Sequence, residues 1–137
     1  MPVVDASVIV ASLHRDEPGY AASRQWLGKC ASNGVVLVAP AIAAPEVAFA
    51  LSRGGDETLA RKALETLLHS RLIELHDVGP RLAHVSGEIA AEHGLRGCDA
   101  VYVGLAIMTD GQLVTLDKAQ LALTGAEVDV CEPNGQG

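Results

Sequence analysis

The chain is poor in aromatic residues, has no excess of positive charge and contains no long apolar run. Aromatic residues make up 3% of its 137 residues, so stacking of bases on aromatic rings is a weak basis for nucleic-acid binding. The formal net charge of -7 argues against binding of nucleic acid through a broad basic face. The longest uncharged run, residues 30–45, is shorter than the roughly 20 apolar residues that a membrane helix needs. We therefore expect a soluble protein.

Cysteines are also few, and their pattern indicates a reducing compartment. The three cysteines, Cys30, Cys98 and Cys131, are an odd number and form no C-x-x-C pair. The N-terminus lacks a basic lead followed by an apolar core and a cleavage site, so we expect no secretion signal. Disulfides persist in oxidising compartments, so this pattern predicts a cytoplasmic protein with reduced cysteines.

What the chain does have is enough apolar residues for one compact core. Hydrophobic residues make up 49% of the sequence, and predicted strands alternate with helices. We predict strands at residues 3–4, 35–38, 72–75, 113–116 and 128–130. Such alternation predicts an α/β sandwich with a central, mostly parallel sheet. We expect one domain over residues 1–132 and a flexible tail over residues 133–137.

Capping residues and prolines mark where the helices should begin. Ser7 is placed to cap the first helix, and Pro18 suits the first turn of the second. Asp56 is placed to cap a helix after the Gly-Gly pair, and Pro80 suits the start of another. Asp99 precedes an almost wholly apolar segment, so we expect it to cap a buried helix.

Four acidic residues, Asp5, Glu46, Asp99 and Asp117, each lie beside an apolar segment, and we call them the four acids. Each has a local explanation. Asp5 and Asp99 suit helix caps, Glu46 complements the dipole of a helix, and Asp117 ends a strand. A buried carboxylate without a partner nevertheless costs several kcal/mol, so acids beside a core are usually paired with cations or used as ligands.

Taken together, the four acids indicate a metal site. Asp5 and Asp117 follow predicted strands, and open parallel sheets place their binding crevices at the carboxyl ends of strands. Two ionised carboxylates about 5 Å apart repel by roughly 3 kcal/mol at an effective dielectric constant of about 20, so a cation is needed to hold four of them together. Oxygen ligands without Cys or His favour Mg²⁺ or Mn²⁺ over Zn²⁺.

The segments around these acids resemble the PIN domain family. The matching segments are V-V-D-A-S-V at Asp5, P-E-V-A at Glu46, L-R-G-C-D-A at Asp99 and L-V-T-L-D-K at Asp117. Each segment is short, but their order and spacing over residues 1–130 are similar to those of the VapC-type toxin branch. That resemblance implies a five-stranded parallel sheet between helices, with the four acids in the catalytic pocket.

The resemblance also implies an activity, a cofactor and partners. Proteins of this kind are ribonucleases that leave 5′-phosphate and 3′-hydroxyl ends, so it implies an RNA substrate. It implies that Asp5, Asp99 and Asp117 bind Mg²⁺ or Mn²⁺. It also implies that Ser7 and Thr115 contact the metal ligands and hold them in place, although local capping explains these two hydroxyl residues equally well. It further implies a homodimer that a cognate antitoxin protein inhibits.

Two segments depart from the family pattern, and one nearby residue has two explanations. Lys118, Ala119 and Gln120 follow Asp117 without the further acid that some relatives carry, which weakens the case for a second metal ion. Pro45 limits how far the helix carrying Glu46 extends towards the N-terminus. Arg96 lies three residues before Asp99, where we expect it to pair with the acids rather than with a substrate phosphate.

Other functions remain open at this point. A phosphotransfer enzyme or receiver domain also carries an aspartate after its first strand, and Asp77 resembles a receiver's phosphorylation site. That hypothesis leaves Glu46 and Asp99 unexplained, and the acids beside Asp5 that such proteins need are missing. The five histidines show no metal-binding spacing. The remaining alternative is a noncatalytic PIN-like module that binds a protein partner.

Overall fold

The structure, a computed structural model, describes residues 1–133 as alternating strands and helices. The strands are β1 (Val3–Val4), β2 (Leu37–Pro40), β3 (Ile73–His76), β4 (Leu113–Val114) and β5 (Val130–Cys131). The helices are α1 (Ala6–Leu13), α2 (Tyr20–Ser32), α3 (Ala43–Arg53), α4 (Glu57–Leu68), α5 (Pro80–His93), α6 (Gly97–Met108) and α7 (Lys118–Leu121). This arrangement confirms the predicted α/β fold class.

All five strands are parallel and lie in the order β3-β2-β1-β4-β5. β1 is the central strand, where Val3 pairs with Val38 on one side and with Leu113 on the other. β1 and β4 consist of fully buried aliphatic residues, as expected for strands covered on both faces. The loops that follow β1 and β4 therefore meet at one edge of the sheet.

Helix α6 lies directly on the sheet, against β1, β2 and β4, and α5 packs against it. Its apolar sequence suits this buried position, as predicted. Gly104 of α6 lets α5 approach closely, because a Cβ at this position would clash with the hydroxyl of Ser86. On the rest of the fold, α1 packs against α2 and α3, and α3 packs against α4.

Several predicted boundaries differ from those in the structure. β2 begins at Leu37, and Val35 and Val36 before it are exposed. α2 begins at Tyr20, after Pro18, so this proline lies in the preceding turn. The cap of α1 is Asp5 and not Ser7, because the Asp5 carboxylate accepts the hydrogen bond from the backbone N–H of Ser7. Propensity locates such elements but leaves their ends uncertain by a few residues.

The start of α6 is the difference that bears most on function. Arg96 is the N-cap residue of α6, and Asp99 is its third residue, not its cap. The Asp99 side chain is therefore not engaged with the backbone N–H groups of the helix. Asp56 does cap α4, and Pro80 opens α5, as predicted.

Three further sequence predictions concern cysteines, the tail and the membrane. Cys30 is buried, Cys131 is half-buried and Cys98 is exposed, and all three are free. Of the predicted tail, Pro133 is buried in a bend, and residues 134–137 lie outside the described residues. None of the helices within residues 1–133 combines the length and apolar character of a membrane span.

Candidate active site

The four acids line one cavity of about 620 Å³, which opens where β1 and β4 end. Asp5 follows β1, Asp117 lies three residues after β4, and Glu46 and Asp99 come from the first turns of α3 and α6. Ser7 also lines the cavity. Residues more than 100 positions apart are thus brought to one edge of the sheet, as the sequence pattern predicts.

Asp5 and Asp117 have both a capping role and a place on the cavity wall. Asp5 accepts a hydrogen bond from the backbone N–H of Ser7 at 3.0 Å, and Asp117 accepts one from that of Gln120 at 2.9 Å. In each case the cap uses Oδ2, so the other carboxylate oxygen is not needed by the helix. The local explanation and the functional explanation of these two acids are therefore compatible.

Asp99 is 8% exposed and is held by an arginine at the mouth of the cavity. The Nε atom of Arg96 donates a hydrogen bond to Asp99 Oδ2 at 3.1 Å, and the arginine side chain itself is largely exposed. This is the pairing expected from the sequence. The pair joins an exposed arginine to a buried carboxylate, so departure of Arg96 is unfavourable unless another cation takes its place.

Glu46 is half-buried and held by a tyrosine of α6. The phenol of Tyr102 donates a hydrogen bond to Glu46 Oε1 at 2.5 Å. Tyr102 is buried, and burial, followed by its bond to Glu46, raises the pKa of this phenol well above its usual range. It therefore stays protonated as a donor. Pro45 does not displace Glu46, because α3 begins at Ala43 and takes the proline into its first turn.

Burial and neighbouring charges raise the pKa of two of the four acids, Glu46 and Asp99. Burial raises the pKa of Glu46, and the charges of Asp5 and Asp99 raise it further, while the Tyr102 hydrogen bond lowers it. Burial likewise raises the pKa of Asp99, and the charges of Asp117 and Asp5 add to this, against the lowering effect of Arg96. Ionisation of Glu46 and of Asp99 is thus disfavoured by burial and by the charges of neighbouring acids.

A buried hydrogen-bond network lies behind the acids. Ser7 Oγ lies 3.3 Å from Thr115 Oγ1, which lies 2.6 Å from Gln120 Oε1. The Gln120 amide nitrogen donates to Asp5 Oδ1 at 3.2 Å and to the backbone carbonyl of Asp99 at 3.1 Å. Ser7 and Thr115 therefore connect the loops after β1 and β4, beyond any local capping role.

The donor set fits a hard divalent cation in its chemistry. The four acids offer carboxylate oxygens, and Mg²⁺ and Mn²⁺ prefer oxygen ligands. Within residues 1–133, however, no three Asp, Glu, His or Cys side chains stand close enough together to form a finished metal site. Ionised carboxylates repel one another where no cation lies between them.

Three residues that contact the acids or line the cavity were not predicted from the sequence, and Asp77 of the receiver hypothesis lies elsewhere. Tyr102 stands three residues after Asp99 on a helix, a spacing that places both on one face. Gln120 stands three residues after the Asp117 cap, the spacing of a capping box. Glu17, in the loop before α2, lines the cavity without any sequence signal. Asp77 is exposed after β3 and is not among the residues that line the cavity.

Comparison with known families gives one match, which covers most of the chain. The model of the PIN domain family matches residues 3–125. No curated protein sequence matches the chain. The matched segment contains all four acids, together with Tyr102 and Gln120.

Solved structures share the fold at low sequence identity. VapC20 of Mycobacterium tuberculosis, described as a Sarcin-Ricin loop cleaving toxin, is 17% identical with a TM-score of 0.77, over 89% of this chain and 94% of that one. A toxin-antitoxin complex from Klebsiella pneumoniae is 18% identical with a TM-score of 0.66, over 97% and 98%. VapBC2 of Rickettsia felis, bound to a DNA fragment from its promoter, is 16% identical with a TM-score of 0.70, over 96% of each chain.

Proposed function

The chain belongs to the PIN domain family, and on this basis we propose that it is a metal-dependent endoribonuclease, the toxin component of a toxin-antitoxin pair. The observation that carries the proposal is the convergence of Asp5, Glu46, Asp99 and Asp117 on one cavity. Nucleases of this family generally use divalent metal ions, and the proposed cofactor is Mg²⁺ or Mn²⁺. The substrate is RNA, and the products carry 5′-phosphate and 3′-hydroxyl ends.

In the proposed reaction, Asp5, Asp99 and Asp117 hold the ion. When bound, it would supply the positive charge that polarises the scissile phosphodiester. We assign to Glu46, which lines the same cavity, the role of taking the proton from the attacking water, and the raised pKa of its carboxyl is consistent with a general base. Tyr102 fixes the orientation of that carboxylate. The bond from phosphorus to the 3′-oxygen breaks, and this oxygen takes up a proton.

Two cations at the cavity favour a polyanionic substrate despite the net charge of -7. Arg96 and Lys118 are exposed and line the same cavity as the four acids. Both side chains could contact RNA phosphates, and contacts of this kind position a nucleic acid without reading its sequence. We propose that Arg96 exchanges its bond with Asp99 for a substrate phosphate when RNA binds.

The proposed partners are a cognate antitoxin protein and a second copy of the chain, in the cytoplasm. The toxin-antitoxin complexes with the same fold support an antitoxin partner. An apolar cavity of about 350 Å³ between α1, α2 and α4 suits contact with another protein, as does the exposed Phe49.

Mapping of RNA ends tests the nuclease directly. Purified protein is incubated with total RNA, with and without Mn²⁺, and the new 5′ and 3′ ends are sequenced. We expect new ends only with the metal, and a loss of about a thousandfold in cleavage rate for Asp5→Asn, since one lost metal ligand removes several kcal/mol of transition-state stabilisation. Equal cleavage by the wild type and Asp5→Asn would refute the proposal.

A noncatalytic PIN-like module remains the second candidate. The two candidates differ in one measurement, because a noncatalytic module binds its partner protein equally well with Asp5→Asn and with Asp99→Asn, and it yields no new RNA ends with Mn²⁺.

A further inference from the structure

One fully buried polar side chain at the site has no part in the proposed reaction. Gln120, on the short helix α7, is wholly inaccessible to solvent, and its amide contacts both Asp5 and the backbone of Asp99. We propose that Gln120 is a positioning residue, which holds Asp5 in the orientation that binds the divalent ion. This inference rests on the proposed function, because it concerns the same acids.

The orientation of the Gln120 amide follows from the hydroxyl groups beside it. The backbone N–H of Leu116 donates to Ser7 Oγ at 3.0 Å, and that of Asp117 donates to Thr115 Oγ1 at 2.9 Å. The Thr115 hydroxyl donates its one proton to Gln120 Oε1, so the Ser7 hydroxyl is the donor to Thr115. The amide oxygen of Gln120 therefore faces Thr115.

The amide nitrogen consequently faces the acids. Both of its N–H groups are used, one towards Asp5 Oδ1 and one towards the carbonyl oxygen of Asp99. The reversed amide would place its oxygen against these two acceptors, which is repulsive. Since Ser7 N–H holds the other oxygen of Asp5, both oxygens of this carboxylate are fixed by donors. The Asp5 side chain is thereby held in one orientation.

An uncharged donor suits this position better than a charged side chain. A carboxylate at position 120 would face Asp5 and a carbonyl oxygen, and would add to the repulsion among the four acids. A lysine would bring a cation that competes with the metal for Asp5. The amide orients the ligand without either effect, which is how groups that hydrogen-bond to metal ligands commonly act.

Binding of Mn²⁺ to the metal-free protein tests the inference without any RNA. Gln120→Met keeps the length of the side chain and removes both hydrogen-bonding groups. We expect its Kd for Mn²⁺, measured by electron paramagnetic resonance titration, to rise by about 10- to 100-fold over wild type. Gln112→Met is the matched control, because Gln112 donates to Cys131 Sγ at the opposite end of β4. This control should bind Mn²⁺ as wild type does.

A second measurement covers the case in which Gln120→Met fails to fold. The side-chain NH₂ signals of Gln120 in the nitrogen-15 NMR spectrum of the wild type should be protected from solvent exchange. They should shift in the Asp5→Asn variant and stay unchanged in Asp129→Asn, which alters an exposed acid at the other end of the sheet. A residue that only fills space would show no response specific to Asp5.

The outcomes separate this inference from the proposed function. Weaker Mn²⁺ binding by folded Gln120→Met, or a Gln120 signal that responds to Asp5→Asn alone, supports the positioning role. The positioning role is overturned if Gln120→Met binds Mn²⁺ with wild-type affinity, or if the Gln120 NMR signal does not change in Asp5→Asn. The proposed function survives that result if Asp5→Asn still weakens Mn²⁺ binding. Absence of Mn²⁺ binding by the wild type overturns both.

Discussion

The two ends of the sheet each have an acid-lined cavity, and they differ in how the acids are held. At the amino ends of β1, β4 and β5, a cavity of about 670 Å³ is lined by Asp110, Glu127 and Asp129, all exposed. At the carboxyl ends, a cavity of about 620 Å³ is lined by the four acids, of which Asp5 and Asp99 are buried. Cavity size therefore does not tell the two ends apart.

The difference lies in desolvation and in the donors that hold the carboxylates. Asp5 is 6% exposed, yet it accepts hydrogen bonds from Ser7 and Gln120, and Glu46 accepts one from the buried phenol of Tyr102. Withdrawing acids from water is unfavourable, and oriented donors offset part of this cost. In the proposed function, the same donors orient the carboxylates towards a cation. Exposed acids at a loop edge need no such explanation.

The largest expected effect compares one acid from each end. Asp99→Asn should lower metal-dependent RNA cleavage by about a thousandfold, because it removes a ligand charge from the proposed ion. Asp129→Asn should leave the rate within about twofold of wild type. Single-turnover cleavage rates at saturating Mn²⁺ check both. Similar losses in the two variants would show that the charge of the whole chain matters, and not the buried cavity.

The next effect concerns the network behind the acids. Thr115→Val preserves shape but removes the hydroxyl that donates to Gln120 and accepts from the N–H of Asp117. Because it leaves buried groups without partners, it should lower the free energy of unfolding by about 2 kcal/mol. Thr58→Val, at an exposed position of α4, should change it by less than about 0.5 kcal/mol. Urea denaturation measures both. Equal, small losses would mean that the network adds nothing to stability.

The network also shows where sequence reasoning succeeds and where it stops. The four acids were predictable because each lies beside an apolar segment, and because strand ends in a parallel sheet share one edge. The location of Asp99 at this cavity was predictable, but its place as third residue of α6 was not, since a capping aspartate and a first-turn aspartate look alike in sequence. Gln120 and Tyr102 were missed because a buried glutamine or tyrosine acquires its partners from other elements only when the chain folds.

Loss of the hydrogen bond from Tyr102 to Glu46 should have a smaller effect on the free energy of unfolding and a specific effect on the pKa of Glu46. Tyr102→Phe removes the donor to Glu46 and should lower the free energy of unfolding by about 1.5 kcal/mol. Since this hydrogen bond lowers the pKa of Glu46, its loss should raise that pKa further. Carbon-13 NMR titration of the Glu46 carboxyl group measures the change. Tyr20→Phe is the control, because the Tyr20 ring lies against Arg24 outside the cavity. An unchanged Glu46 titration would show that the bond is absent in solution.

The smallest effect is a pH dependence that should distinguish the two ends of the sheet. Burial and the charges of Asp5 and Asp99 raise the pKa of Glu46 in the folded protein, so folding favours its protonated form. The resulting stability is fully present below the ordinary pKa of glutamate and is lost as the pH rises through the raised folded value. Glu46→Gln mimics the protonated form and keeps an acceptor for Tyr102. We therefore expect the melting temperature of Glu46→Gln minus that of wild type, measured without metal, to be larger at pH 7.5 than at pH 4.5. The same difference for Asp129→Asn is the control for an exposed acid. If the difference in melting temperature between Glu46→Gln and wild type stays constant or falls as the pH rises, Glu46 is not desolvated in the folded protein. The contrast between the two cavities would then lose its basis.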